Sequence, residues 1–277
     1  MTLAPKRYPE EPNTGRAIKM VPVPDLHPII CESNRSSPMS TNQTCDEILE
    51  ELKGLGSDSY KRILMKHGVK EPCFGAKIGD MQKIVKRIKK DYQLALLLYA
   101  SGVYDAMYLA GLIADDAKMT KKDLKNWMSK ANCRSLASWT VPWVASGSAH
   151  GWELAHEWIE SKKELVATAG WGTISSIVSI TPDDQLDLDG LKVLIGRIAS
   201  KIQTESDLVR YQMNACLIAI GTYVAPLTRE VIKVAKKLGS IQADLGDNNC
   251  QVPHIIETLE KVAQRGSIGK KRKSAKC

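Results

Sequence analysis

The apolar positions of this chain recur with a helical period over most of its length. Ile78, Met81, Ile84, Val85 and Ile88 form one stripe, and Leu191, Leu194, Ile198 and Ile202 form another, because residues three and four apart share a helix face. No stretch alternates between apolar and polar in the manner of a half-buried strand. Further helices are predicted near residues 58–67, 91–101, 104–115, 120–130, 134–149, 151–161, 163–179, 206–224, 228–238 and 254–264, which makes about a dozen with short links. Ala106 to Ala114 and Leu208 to Val224 are apolar around much of their circumference, as inner helices packed against two neighbours are. Gly151 to Ser161 instead shows two distinct faces. Buried and amphipathic helices recurring at roughly 30 to 45 residues predict an all-α, HEAT-like helical-repeat solenoid, an α-α superhelix with a long concave surface.

The pattern also sets boundaries. Residues 1–41 hold most of the prolines, with Asn, Ser and Thr between them and no helical or alternating period, so a disordered leader is expected there. Order is expected from 42 to 265. Thr44-Cys45-Asp46-Glu47 has the spacing of a capping box, in which each side chain satisfies a free backbone donor, and a helix should follow to Leu55. Residues 266–277 crowd Lys270, Lys271, Arg272, Lys273 and Lys276 together without apolar partners and read as a flexible basic tail. Such a tail contacts phosphates, guides nuclear import or simply aids solubility.

Charge narrows the partners. Lys plus Arg number 39 against 31 Asp plus Glu, a net charge of +8, which favours a polyanion such as nucleic acid, although an anionic membrane surface attracts the same charge. No segment approaches the roughly 20 unbroken apolar residues of a spanning helix, and Lys6 and Arg7 are followed by no apolar signal region. The seven cysteines form no CxxC pair and suit free thiols in a reducing compartment, so an intracellular protein, cytoplasmic or associated with nucleoid or nucleus, is expected. His27, His67, His150, His156 and His254 have no metal-ligand spacing, and no phosphate-binding Gly-rich loop, nucleophile elbow or dinucleotide fingerprint occurs. No metal or cofactor is implied.

Three segments, Phe74-Gly75-Ala76-Lys77-Ile78-Gly79-Asp80-Met81, Asp105-Ala106-Met107-Tyr108-Leu109-Ala110-Gly111-Leu112-Ile113 and Val209-Arg210-Tyr211-Gln212-Met213-Asn214, resemble the DNA alkylation repair family over residues 52–265. The resemblance implies a HEAT-like solenoid that cradles duplex DNA in a positively charged concave face. In members that excise cationic alkylpurines, it implies a carboxylate that steadies an oxocarbenium-like sugar and aromatic faces that bracket the nucleotide. The family's catalytic pattern is a Trp followed four residues later by that Asp. Here the Trp is Trp139, and the Asp position holds Trp143. Where those members place an Arg three residues after a Trp, Trp171 is followed by Ile174, and a further aromatic position falls near Cys216 or Leu217. The resemblance therefore supplies no catalytic residue.

The residues themselves leave several readings open. Glu153, Glu157 and Glu160 would share a helix face and offer a relocated carboxylate or, more simply, a solvated row. Asp115, Asp116, Asp183 and Asp184 sit at helix ends, where capping explains them. Trp139 and Trp143, one helical turn apart around Pro142, should share a face that either packs in the core or stacks on bases. All six tryptophans lie between Trp127 and Trp171, a concentration that favours a site. Lys83, Lys86, Arg87 and Lys90 form a basic face suited to a row of phosphates, or a solubilising one. The candidate DNA contacts are those four, Trp139, Trp143, Trp171, Lys130, Arg134 and Arg210, with Lys270, Lys271, Arg272 and Lys273 of the tail. The leading expectation is a protein that binds duplex, damaged or branched DNA without the usual carboxylate. A glycosylase releasing N3- or N7-alkylpurines is the alternative, and a HEAT-like scaffold for an acidic protein surface is a third.

Overall fold

The structure, a computed structural model, describes residues 44–246 and 251–276; the leader expected over 1–41 lies outside the described residues. All regular structure among the described residues is helical. In chain order the helices are α1 (Cys45–Gly54), α2 (Asp58–Lys66), α3 (Ile78–Ile88), α4 (Tyr92–Ala100), α5 (Tyr104–Ile113) and α6 (Lys121–Lys130). A π-helical segment (Leu136–Thr140) then runs into α7 (Val141–Ser146). After it come α8 (Gly151–Ile159), α9 (Glu164–Ile180), α10 (Leu188–Lys201), α11 (Asp207–Tyr223), α12 (Thr228–Leu238) and α13 (Ile255–Gln264). The predicted capping box opens α1: Thr44 Oγ1 accepts from the Glu47 amide at 3.2 Å, and Glu47 Oε2 accepts from the Thr44 amide at 3.0 Å. Such a cap contributes about 1 kcal/mol.

The helices pack in consecutive pairs, α4 with α5, α6 with α7, α8 with α9, α10 with α11 and α12 with α13. The second helix of each pair also packs on the second helix of the next, so α5, the π-helical segment with α7, α9, α11 and α13 form an inner row. This is why α5 and α9 are apolar nearly all round: α5 is buried along its whole length, and Ala167 to Ile174 of α9 are buried without interruption. The core falls into two clusters that meet within the α8–α9 pair. Leu154, Trp158 and Ala169 face one cluster, and Ala155, Ile159 and Trp171 on the same helices face the other, as expected of a stack in which each unit touches only its neighbours. Close approach depends on small residues in α9. A Cβ at Gly170 would stand 2.6 Å from the Ile159 nitrogen in α8, and one at Gly172 would stand 2.8 Å from the Ser138 carbonyl oxygen.

Two of the family-like segments are clasped to each other. Asp105, fully buried in the first turn of α5, accepts the backbone amides of Phe74 at 2.6 Å and Ala76 at 2.7 Å. A carboxylate near a helix N-terminus is favoured by the exposed amides there, and here it also anchors the loop that leads into α3.

The C-terminal segment departs from expectation. The tail expected to be flexible over 266–277 is, over its described residues, a docked strap crossing the C-terminal ends of the inner helices. Gly269 donates its amide to Thr222 O of α11 at 2.8 Å, and Arg272 donates its amide to Ser179 O of α9 at 2.8 Å. Lys271 Nζ reaches Val178 O at 2.9 Å, and Lys276 Nζ reaches Ala114 O, at the end of α5, at 2.8 Å. The last carbonyls of a helix lack intrahelical partners and carry partial negative charge, so a basic segment satisfies both needs. Ala275 is buried and belongs to the first core cluster.

Candidate nucleic-acid interface

The inner row presents its side chains along a groove, and the aromatic at its middle is set by an irregularity in the helix. Pro142 has no amide hydrogen to donate, and the residues before it, Leu136–Thr140, form a wider π-helical turn. Such turns shift the phase of side chains and recur at functional sites. Trp139 is consequently 38% exposed while Trp143 is 3% exposed. Both border a cavity of about 320 Å³ walled by α9, α11 and α13, with Ser175, Ser179, Gln212, Thr222 and the strap's Arg272 around it. The face shared by the two rings thus survives only in part: Trp143 is a wall, packed edge-on against Tyr108 with centroids 5.6 Å apart, and Trp139 projects.

Trp139 also borders a second cavity of about 320 Å³, with His67, Tyr104, Arg134, Ser135 and Tyr211. Arg134 lies over Tyr211, its guanidinium carbon 4.3 Å from the ring centroid. Ser135 donates to the Tyr104 hydroxyl at 3.1 Å. One exposed indole therefore divides two cavities, each lined by aromatic, hydroxyl, amide or cationic groups. Neither is lined by an Asp or Glu among the described residues. In the first, the Gln212 side chain is 1% exposed and its amide has no protein hydrogen-bond partner.

The other tryptophans are structural. Trp171, a sequence candidate for contact with DNA, is completely buried, with Arg197 of α10 beside its ring. Trp127 stacks on Tyr99 at 4.1 Å, Trp158 is buried, and Trp152 is half-buried beside His156. The concentration of indoles in sequence reflects the size of side chain needed between successive helix pairs rather than a cage.

The basic candidates divide in the same way. Arg210 does not face the groove as a free cation. Its guanidinium donates to the carbonyls of Ile202, Gln203, Glu205 and Gln242 and to Asp207, pinning the α10–α11 loop. In α3, Lys83 pairs with Asp80 at 3.0 Å and Arg87 with Glu51 of α1, so the expected continuous basic face is half neutralised, leaving Lys86 and Lys90 exposed. Lys130 is exposed at the end of α6. On the strap, Lys271 is held by Asp183 at 2.8 Å and the Arg272 side chain turns to Lys276 O, whereas Lys270 and Lys273 are exposed.

The acidic row lies elsewhere. Glu153 and Glu157 of α8 pair with Lys121 and Lys125 of α6, and Glu160 pairs with Arg197 of α10. The row bridges successive outer helices, and its cation partners hold Glu153 and Glu160 below the usual carboxylate range. A relocated excision carboxylate is not among these three. The thiols of Cys73, Cys133 and Cys216 are poor nucleophiles: burial pushes Cys73 and Cys216 up to about 12 and raises Cys133 as well. Among the described residues no group of three or more His, Cys, Asp or Glu is placed to hold a metal ion, and no single helix is long and apolar enough to cross a membrane.

Comparison with known proteins gives a consistent picture. Residues 48–241 match the family model of the DNA alkylation repair enzyme. An uncharacterized protein of Listeria innocua is 30% identical over 227 residues, covering 80% of this chain and 98% of that protein, and one of Listeria monocytogenes is 29% identical with the same coverage. A solved structure described as "a new family of proteins related to the HEAT-like repeat DNA glycosylases with affinity for branched DNA structures" superposes with a TM-score of 0.79 at 29% identity. It covers 85% of this chain and 100% of that one.

Proposed function

The chain belongs to the DNA alkylation repair family, and we propose that within it this protein binds branched or damaged DNA along the inner row without excising a base. One observation carries the reading: among the described residues no carboxylate lines the two cavities flanking Trp139, and the position that the family's catalytic pattern gives to Asp is the buried Trp143. Departure of a cationic base leaves an oxocarbenium-like sugar, and without a nearby negative charge that charge development goes unsupported. What remains is recognition chemistry. Trp139 stacks on an exposed base or sugar, Arg134 offers the in-plane donors of a guanidinium already fixed on Tyr211, and the exposed lysines contact phosphates. Branch points and lesions expose unstacked bases that an intact duplex does not, which agrees with the affinity ascribed to the structural relative.

The test is one incubation of the purified protein with duplexes carrying N7-methylguanine or N3-methyladenine, and with unmodified and four-way-branched DNA. Both free-base release and gel retardation are scored. Retardation of branched or damaged DNA that falls steeply with salt, without release above the spontaneous rate, is the expected outcome. Release above that rate makes the protein a glycosylase and overturns the non-catalytic reading. No retardation at low salt overturns DNA binding altogether and leaves an acidic protein surface as the partner.

A further inference from the structure

A cleft that Trp139 does not line has a volume of about 580 Å³. It opens between the end of α3 and the docked strap. Four lysines line it: Lys89 and Lys90 from the α3 terminus, and Lys273 and Lys276 from the strap. The one carboxylate in its wall, Asp116, is taken by Lys276 at 2.7 Å. Lys89, Lys90 and Lys273 are exposed and form no ion pair among the described residues. Among the described residues, the lining of the cleft therefore carries more lysines than carboxylates.

A second observation concerns the backbone. Lys89 ends α3 at φ 64° and ψ −99°, a conformation that L side chains rarely adopt and that glycine adopts without a steric penalty. It is the only non-glycine residue with positive φ among the described residues. A lysine kept where glycine fits better points to use of its side chain, since strained positions persist at sites where the surrounding structure holds them for function.

Resting on the DNA-binding reading above, we infer that this cleft is a second contact point for the nucleic-acid backbone, built jointly by α3 and the strap, in which Lys89, Lys90 and Lys273 hold phosphates. The Lys276–Asp116 pair is a positioning contact: it locks the strap so that Lys273 stands opposite Lys89 and Lys90. The strap thus turns the end of the chain into part of the binding surface. Its cations are presented without the loss of freedom that ordering a mobile arm on binding would entail.

The test compares the full-length protein with its Lys89→Gly and Lys273→Met variants on branched and duplex DNA over a series of salt concentrations, alongside melting temperature and inorganic pyrophosphate binding. Lys89→Gly is expected to melt at or above the wild-type temperature while binding DNA about three- to tenfold more weakly. Each variant should lower the slope of log affinity against log salt by about one. Wild-type binding with unchanged affinity and slope in both variants overturns this inference and leaves the DNA-binding reading standing. Loss of pyrophosphate binding without loss of DNA affinity assigns the cleft to a small free phosphate and likewise overturns it. Absence of any DNA binding by the wild-type protein at low salt removes both readings together.

Discussion

Arg134 makes a cation–π contact with Tyr211, its guanidinium carbon 4.3 Å from the ring centroid, across the boundary between the π-helical segment and α11. The contact holds a cation at the same cavity that Trp139 borders. Arg134→Met should therefore weaken DNA retention and make it less sensitive to salt by about one counterion, at a stability cost of no more than about 2 kcal/mol. Gel retardation over a salt series with a parallel melting curve checks both parts. Unchanged retention and slope would remove Arg134 from the interface.

The two tryptophans retained from the family pattern should respond in opposite ways. Trp139→Ala removes a projecting ring and is expected to leave melting nearly unchanged while weakening binding to branched DNA by about 1 to 3 kcal/mol. Trp171→Ala opens a cavity between α9 and α10 and is expected to cost about 3 to 5 kcal/mol of stability. Chemical denaturation separates the pair, and equal destabilisation by both would place Trp139 in the core.

The strap's latch should be sensitive to pH in a defined direction. Burial raises the carboxyl of Asp116 above its ordinary value near 3.8, opposed by Lys276 and by Lys90, while Asp115 pushes it further up. Burial lowers the ammonium of Lys276, opposed chiefly by Asp116. Lys276→Met leaves the carboxylate buried without its main partner and raises its folded-state pKa further. A carboxyl with a raised folded pKa contributes stability below the unfolded value and loses it as pH rises through the folded value. The variant's deficit, up to about 3 kcal/mol, should therefore be greatest at neutral pH and shrink as pH falls toward the ordinary carboxylate range. Adding Asp116→Asn should abolish that pH dependence. Denaturation midpoints of the three proteins across this range measure it, and a deficit that does not change with pH would contradict a buried, charged latch.

Asp105 offers a test of the clasp between the first two family-like segments. Asp105→Asn replaces one acceptor by an amide that faces the donors of Phe74 and Ala76. A loss of about 2 to 3 kcal/mol is expected, accompanied by faster amide exchange at Phe74 and Ala76. Wild-type stability would show that the clasp contributes little.

The sequence by itself determined the helices and their stacking. Periodicity and capping are local, so the stripes of α3 and α10, the box at Thr44 and the all-round apolarity of α5 and α11 were legible before any coordinates. The missing carboxylate was legible too, because a residue type at a motif position needs no geometry to be read. Only the tertiary structure decided which of these residues are exposed along the inner row. The π-helical turn before Pro142 breaks the simple four-residue repeat, leaving Trp139 exposed and Trp143 buried. Arg210 was removed from the interface by carbonyls up to 32 residues away, and the glutamate row by cations on neighbouring outer helices. The strap was invisible as structure because it has no period of its own: its order comes from helix ends as far away as Ala114, 162 residues from Lys276. Charge and helix phase are written locally, whereas exposure is the outcome of contacts between segments distant in the chain, and contact with DNA requires exposure.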